Sequence, residues 1–410
     1  MSTEPRNSAL ITESDKCVMC GMCLPQCPTY IHAQDENESP RGRLVLGKAL
    51  LRGELKVDSP IRQHIDNCLL CRQCERICPS GVKFGYFMDG LRETLEPEQK
   101  TAINPLVARL ENPVQTRRWH RWLRLAQLSG MKGLAALLPG QTGRLARSLP
   151  TIGPLKPVQA HYPATSETGT VKLFKGCTQT LFGNRLLESS VQLLNRLGVS
   201  VEVPAQQGCC GGLSQHQGRA VQANRLAAIN IEAFAASTYA PILTLASGCA
   251  ATLKDYARQA DPDAGAFALA ITDISHYLQS LDWPKDIQIR PLEKRIVIHS
   301  PCSLRNVMRQ QAAVATLLAR IPQATLLSLE QTTNSCCGAA GSYMFEAAHE
   351  ALADTLADAT VQQIRRLNAD IVVTSNIGCA MNLQTSLKRA GLETTVLHPV
   401  ELLAQQLIVD

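Results

Sequence analysis

Sixteen cysteines carry most of the chemical potential of this 410-residue chain. Eight of them form two runs near the N-terminus. One is Cys17-Val-Met-Cys20-Gly-Met-Cys23-Leu-Pro-Gln-Cys27-Pro28; the other is Cys68-Leu-Leu-Cys71-Arg-Gln-Cys74-Glu-Arg-Ile-Cys78-Pro79. Both read C-x2-C-x2-C-x3-C-P, the spacing that holds a pair of [4Fe–4S] clusters, with the fourth cysteine of each run serving the other cluster. Three thiolates two residues apart wrap a tight loop around one cubane corner. A fourth, on the opening of a following helix, points away. The expected ligand sets are Cys17, Cys20, Cys23 and Cys78 for cluster 1, and Cys68, Cys71, Cys74 and Cys27 for cluster 2. The proline after each fourth cysteine is expected to break the local helix. Zinc sites use C-x2-C pairs with a longer gap, so the doubled triple spacing argues for iron and sulfide.

The other eight cysteines repeat. Cys177, Cys209-Cys210-Gly211 and Gly248-Cys249 are followed by Cys302, Cys336-Cys337-Gly338 and Gly378-Cys379, each cysteine 125 to 130 residues after its counterpart. The elements that must position them repeat as well. Apolar runs at Val171–Phe174 and Arg295–His299 read as buried strands that deliver Cys177 and Cys302. Helical spacing follows at Leu186–Leu197 and Val314–Ile321. Second strands are expected at Val199–Val203 and Thr325–Leu329, and third strands at Pro241–Ala246 and Asp370–Thr374. This alternation predicts two α/β units with mainly parallel sheets. Ligands of such sheets gather at the carboxyl ends of the strands, where all eight cysteines fall. Free cysteines also serve as core packing, but scattered core residues would not recur in order in both copies. Each set of four could hold a further [4Fe–4S] cluster, a partial or unusual cluster, or a dithiol/disulfide pair. A vicinal pair fits one tetrahedral ion poorly but can bridge different irons.

The stretch between the N-terminal runs has helical apolar spacing at Leu44, Leu46, Ala49 and Leu50, which predicts an α-helical domain. Arg41 and Arg43 just before it either offset cluster charge or are solvated. From Asn112 to Ser166 the chain has no acidic residue. Arg117, Arg118, Arg121 and Arg124 surround Trp119, Trp122, Leu123 and Ala126 on one helical pattern. Residues 115–128 therefore read as a peripheral membrane helix or as one that docks on a partner or on the chain's own modules. A solvated linker is the third reading. Prolines at 139, 150, 154, 157 and 163 mark irregular chain.

Charged residues make up 19% and hydrophobic residues 45%, with a net charge of +6, which describes a globular chain. Aromatics are only 4%, and no nucleic-acid motif accompanies the basic stretch, so nucleic acid is not an expected partner. Met1–Lys16 lacks the apolar core of a signal peptide. The chain is expected in the cytoplasm, or peripherally on the inner face of the cell membrane, where reduced cysteines point to metal. His276 and His299 could tune a cluster and His216 and His398 could lie near one, but a solitary histidine is more often a structural group, and that is the first reading of each. Lys175 and Arg305 adjoin module cysteines and could balance thiolate charge. No G-x-G-x-x-G follows a strand, and no catalytic triad spacing occurs.

Several stretches together resemble a known family: Cys17-Val-Met-Cys20-Gly-Met-Cys23, Cys27-Pro28-Thr29-Tyr30, Pro40-Arg41-Gly42-Arg43, Cys78-Pro79-Ser80-Gly81-Val82, Ala246-Ser247-Gly248-Cys249 and Ser375-Asn376-Ile377-Gly378-Cys379. The repeated unit resembles the cysteine-rich "CCG" module of heterodisulfide reductase. The whole chain resembles the iron–sulfur subunit of bacterial glycolate oxidase, and is similar to the iron–sulfur subunits of D-lactate and anaerobic glycerol-3-phosphate dehydrogenases. The resemblance implies an α-helical two-cluster ferredoxin domain over residues 1–103, a basic linker over 104–165, and CCG modules over 166–290 and 291–410. It further implies an electron-transfer subunit that takes electrons from an FAD-bearing flavoprotein oxidising a 2-hydroxy acid and passes them to a quinone or another acceptor. The alternative is disulfide chemistry at the modules. The heterodisulfide reductase module ends in C-x-x-C, and here Thr252 and Asn382 stand at its second cysteine, which counts against that alternative.

Overall fold

A computed structural model describes residues 4–95, 105–235, 240–259, 261–329 and 336–408. The expected boundary at 103/104 lies outside them. The N-terminal part is helical. Helices Glu4–Asp15, Pro40–Leu51, Ser59–Asp66 and Phe84–Leu95 enclose Leu10, Leu44, Ile65, Phe87, Met88 and Leu91, all buried. Two glycines permit this packing: a Cβ on Gly90 would lie 2.6 Å from Leu10, and one on Gly47 2.7 Å from Leu91 and Phe87. Capping is explicit. Ser39 Oγ accepts from the Gly42 N–H at 2.9 Å with Pro40 at the first helical position, and Asp58 accepts from the Ile61 N–H at 2.8 Å.

The C-terminal part contains two sheets. The first comprises β1 (His161–Tyr162), β2 (Gly169–Phe174), β3 (Val199–Glu202), β4 (Ile242–Thr244) and β5 (Ile271–Asp273), in the order β1-β3-β2-β4-β5. The second comprises β6 (Arg295–Ile298), β7 (Thr325–Ser328), β8 (Ile371–Val373) and β9 (Thr395–Leu397), in the order β7-β6-β8-β9. Apart from β1, which pairs antiparallel with β3, every pairing is parallel. Removing β1 leaves the same order twice, so the cysteine repeat is a repeat of the fold. Val171, Leu173, Ile296 and Val297 are fully buried in the central strands, as expected of strands covered on both faces.

One apolar core runs through both sheets, uniting Val171, Leu243 and Ile274 with Ile296, Val373 and Leu403. The copies meet through equivalent loops: the Ser247 N–H donates to the Ser375 carbonyl at 2.9 Å. A Cβ on Gly248 would lie 3.0 Å from Asn376 Oδ1, so any larger residue there would have to displace that side chain. Helix Ser247–Asp255 packs directly on the π-helical segment Ser303–Met308. On the opposite side, helices Gly176–Phe182 and Ile377–Arg389 flank a cavity of about 900 Å³.

The basic linker forms four helices, Pro105–Glu111, Pro113–Leu128, Met131–Ala136 and Gly140–Ser148. The second is capped by Asn112, whose Oδ1 accepts from the Val114 and Gln115 N–H groups. Its inner face docks on the chain's own modules. His120 Nδ1 lies 2.9 Å from the Leu181 carbonyl, and Leu123 packs beside Phe182 and Leu149. Trp119 is half-buried with the Arg109 guanidinium over its ring, so it does not share the open face expected for it. The open face consists of Trp122, Leu125, Leu128, Leu134 and Leu137, each more than 60% exposed. No helix among the described residues is long and apolar enough to cross a membrane.

Arg92 joins all three parts. Its guanidinium, 4% exposed, donates to the carbonyls of Ile65 (3.0 Å), Asp66 (3.0 Å) and Cys68 (2.8 Å), to the His216 carbonyl (2.9 Å) and to the Tyr343 hydroxyl (3.0 Å). Arg72–Asp255 at 3.0 Å and Asn306–Cys71 carbonyl at 2.7 Å add further ties between the helical domain and the modules.

Candidate metal centres

The two N-terminal loops share one backbone design. Met19 (φ +57°) and Gly21 (+79°) flank Cys20, and Leu70 (+50°) and Arg72 (+58°) flank Cys71. Left-handed backbone on both sides of the central cysteine curls each loop inward. Three of these residues carry a Cβ that disfavours it, which is local strain of the kind that gathers at functional sites. Arg72 is held in place by Glu75 (2.8 Å) and Asp255. The fourth cysteines differ from one another. Cys27 precedes helix Pro28–Ala33, and Pro28 is its first residue. The proline there starts a helix instead of breaking one, because a first-turn N–H has no helical partner to lose. Cys78 closes helix Gln73–Ile77 instead of opening a following one, and Pro79 after it stands where that helix has ended.

The eight N-terminal cysteines and three of the second module line three neighbouring cavities. The first is lined by Cys17, Cys20, Cys23, Cys78 and Cys74. The second is lined by Cys27, Cys68, Cys71 and Cys74. The third is lined by Cys71, Cys302, Cys336, Cys337 and His299. Cys74 is thus a wall common to the first two, and Cys71 a wall common to the second and third. The first cavity reaches the surface: Cys20 is exposed, and Val18, Met19 and Met22 around it are 69%, 48% and 50% exposed. The second is set deeper in the molecule. Cys27, Cys68 and Cys74 are buried, and Tyr343, Arg92 and Asn306 cover the loop carbonyls.

The arginines before helix Pro40–Leu51 have different roles. Arg41 lines the first cavity, donates to the Met19 carbonyl at 3.1 Å and pairs with Glu36. Arg43, 1% exposed, lines the second cavity and is not solvated. It pairs with buried Glu38 and donates to the His64 carbonyl (2.7 Å) and Thr29 Oγ1 (3.0 Å). Thr29 Oγ1 lies 3.2 Å from Cys27 Sγ, so this network reaches a candidate ligand.

In the first module Cys177 lies in helix Gly176–Phe182 after β2, Cys209 and Cys210 in the loop after β3, and Cys249 in the first turn after β4. The four thiols are close enough to influence one another's ionisation in series, Cys209 with Cys177 and Cys210, and Cys210 with Cys249. In the second module Cys302 follows β6, Cys336 and Cys337 follow β7, and Cys379 opens the helix after β8. Cys337 and Cys379 Sγ are 2.7 Å apart. His299 and those two thiols lie within 4.8 Å of one another, the one such group of His, Cys, Asp or Glu among the described residues. The sequence favours a structural role for His299 and leaves the tuning of a cluster as the second reading. The signal was available by comparing copies, since Phe174 holds the equivalent position. Of the other histidines, His276 is exposed, His216 lies 3.6 Å from Asp89, and His398 caps the last helix by accepting from the Val400 N–H. Thr252 Oγ1 donates to the Gly248 carbonyl at 3.2 Å, and Asn382 Nδ2 to the Cys337 carbonyl at 2.6 Å.

These donors suit thiolate-bound metal. Burial pushes the Cys23 and Cys302 thiols up to about 11, and pushes Cys71 and Cys74 well above the ordinary thiol value. The hydrogen bond with Cys177 raises Cys209, and that with Cys210 raises Cys249, each reinforced by burial. Thiols packed this closely away from water cannot all ionise alone, whereas cationic iron compensates every thiolate at once. Burial also lowers the pKa of Lys175, and Arg305 lines the third cavity.

Comparison with known proteins agrees with the architecture. Residues 13–82 match the 4Fe-4S dicluster domain, and residues 171–254 and 296–384 each match the Cysteine-rich domain. The chain is 30% identical to the glycolate oxidase iron-sulfur subunit of Escherichia coli, covering 99% of this chain and 98% of that protein. It is 29% identical to the probable glycolate oxidase iron-sulfur subunit of Bacillus subtilis, covering 95% and 93%. Lactate utilization protein A of a Geobacillus strain is 27% identical, over 57% of this chain and 98% of its own length.

Proposed function

Because this chain belongs to the family of glycolate oxidase iron–sulfur subunits, we propose that it is the electron-transfer subunit of a flavin-dependent 2-hydroxy-acid dehydrogenase. It receives electrons from an FAD-bearing flavoprotein partner and delivers them to a quinone or another acceptor. The observation that carries this proposal is the series of shared walls, Cys74 between the first and second cavities and Cys71 between the second and third. Cys17, Cys20, Cys23 and Cys78 hold one [4Fe–4S] cluster, and Cys68, Cys71, Cys74 and Cys27 hold the other. Cys302, Cys336, Cys337 and Cys379 ligate a third centre in the second module, and Cys177, Cys209, Cys210 and Cys249 form the equivalent site in the first. Bound clusters of this kind supply one-electron chemistry at potentials set by hydrogen bonding and exposure.

The protein's own residues give the relay its two ends. Val18, Met19 and Met22 offer an apolar rim at the exposed end, suited to the small, transient interfaces of redox partners. Arg92, Tyr343 and Asn306 close the second loop against water. The open face of Trp122, Leu125, Leu134 and Leu137 carries arginines and no acidic residue. It is the surface by which the chain lies on an anionic membrane, where a lipid-soluble acceptor would be found. Disulfide reduction has less support, since Thr252 and Asn382 occupy the C-x-x-C positions and are engaged with backbone carbonyls.

The test is anaerobic reconstitution with iron and sulfide, followed by metal and sulfide counts and low-temperature EPR after reduction. Two interacting cubane signals from the first 95 residues are expected. A chain that takes up zinc in preference to iron, or shows no cubane signal, would sink the proposal. Retention of a flavin-bearing chain by the tagged protein, with its signals reduced on adding a 2-hydroxy acid, tests the partner.

A further inference from the structure

The two modules are not equivalent, and one difference lies three residues before the first cysteine of each. His299 stands three residues before Cys302, where the first copy has Phe174 before Cys177. Thr374, directly after β8, corresponds to Thr244 at the end of β4, 130 residues earlier, the same offset as between Cys249 and Cys379. His299 Nδ1 is 3.0 Å from Thr374 Oγ1. The first copy thus has Phe174 of the apolar core beside a threonine whose hydroxyl donates to the Thr272 carbonyl at 3.2 Å, where the second has an imidazole that engages the threonine.

His299 is also fixed in place. It is 3% exposed, and its backbone N–H donates to the Val373 carbonyl at 2.9 Å. It lines the same cavity as Cys302, Cys336 and Cys337. A ring nitrogen of His299 and the Sγ atoms of Cys337 and Cys379 fall within 4.8 Å of one another. That span suits donors that surround a single metal ion, given metal–sulfur bonds of about 2.3 Å and metal–nitrogen bonds of about 2.0–2.1 Å. A ligating imidazole is normally oriented by a hydrogen bond to its other nitrogen, and Thr374 supplies one.

We propose that His299 is a metal ligand of the second module, binding through Nε2 to the same iron or ion as Cys337 and Cys379, so that the two modules hold unlike centres. This rests on the assignment of the module cysteines as metal ligands. The imidazole replaces a thiolate in a set that lacks the second C-x-x-C cysteine, with Asn382 committed to the Cys337 carbonyl. Replacing thiolate by imidazole raises the potential of an iron–sulfur centre. The centre next to Cys71 is therefore the one that electrons leaving the second cluster favour.

The test uses the full chain, loaded anaerobically with iron and sulfide, reduced, and examined by pulsed EPR with natural-abundance and 15N-histidine-labelled protein. A nitrogen coupling large enough for direct coordination is expected. It should change with the isotope and disappear in His299→Cys, which keeps a ligand at the position and should retain the metal. His299→Ala should lose metal from the second module, and rescue by cysteine separates ligation from packing. Should the module take up a single EPR-silent ion, X-ray absorption at that metal's edge should find one nitrogen donor, absent in His299→Cys. A centre with sulfur donors only, or an unchanged spectrum in His299→Ala, overturns the proposal. If Cys336→Ser and Cys337→Ser remove no metal, the assignment of the module cysteines fails as well. If they do remove it and no nitrogen is seen, only the role of His299 fails.

Discussion

Replacing Arg92 by Met should detach the helical domain from the modules without unfolding either. The guanidinium is buried, and burial alone would lower its pKa. The surrounding Tyr343, Cys68 and Asp66 outweigh that and hold it more firmly charged than usual. Met fills most of the space but donates nothing to the carbonyls of Ile65, Asp66, Cys68 and His216 or to the Tyr343 hydroxyl. Hydrogen bonds from a charged donor contribute about 1.5–3 kcal/mol each, and a buried acceptor left alone costs about 1–3 kcal/mol. A simple sum would overshoot, because one guanidinium cannot serve all five acceptors at full strength. The adjoining cavity of about 250 Å³, lined by Arg62, His216 and His349 among others, can also admit water to some of them. A loss of about 3–5 kcal/mol is expected, the range for removing one partner of a buried charged network. Urea unfolding should be followed by two probes, circular dichroism for the whole chain and visible iron–sulfur absorbance for the N-terminal domain. The absorbance transition should move to lower urea and separate from the other. Arg92→Lys should recover only part, because an ammonium cannot reach both His216 and the 65–68 turn. Coupling with Tyr343→Phe should exceed about 1 kcal/mol in a double-mutant cycle. A shift below about 1 kcal/mol, or Arg92→Lys equal to wild type, would refute the reasoning.

Arg43→Met leaves buried Glu38 with only His64 and Asn67 (2.7 and 2.8 Å). It should cost about 3–5 kcal/mol, partly recovered by adding Glu38→Gln, as read from urea midpoints. Asp273 is pushed up to about 6 by burial, against the hydrogen bond from the Ser275 N–H. An acid raised in the folded state stabilises fully below its unfolded value near 4, and that contribution is lost as pH rises through 6. Asp273→Asn should therefore match wild type near pH 4 and exceed it by about 2–3 kcal/mol at pH 8, a two-unit shift being worth that much; equal melting curves at pH 8 would count against it. Trp122→Ser with Leu125→Ser should lower binding to anionic vesicles at least tenfold, each exposed side chain contributing about 1.5–3 kcal/mol when buried in lipid. Sedimentation with vesicles reads this, and melting temperature should not change.

The architecture was legible because cysteine spacing is a covalent constraint. A ligand can reach a cluster only from certain offsets, so Cys17 to Cys78 revealed a two-cluster domain without any tertiary information. The repeat was legible for the same reason, and the central strands β2, β3, β4, β6, β7 and β8 lie where apolar runs precede cysteines. Strands β1, β5 and β9 are two or three residues long. They exist because a neighbouring edge pairs with them, which no local pattern announces. Pro28 and Pro79 follow identical motifs yet open one helix and follow another, because the chain beyond each differs. Trp119 and Trp122 belong to one basic stretch, but only the packing of His120 and Leu123 on the modules decides which ring faces outward. His299 has no linear signature at all, and its meaning comes from cysteines 38 and 80 residues away.

The enclosure of the second cysteine loop also dictates an order of manufacture. Tyr343, Arg92 and Asn306 lie over the carbonyls of Cys68 and Cys71, and they come from distant parts of the chain. A preformed cofactor handed over by a delivery protein must reach that loop before the last third of the polypeptide settles on it. The exposed loop around Cys20 imposes no such deadline and can be filled, or repaired, at any time.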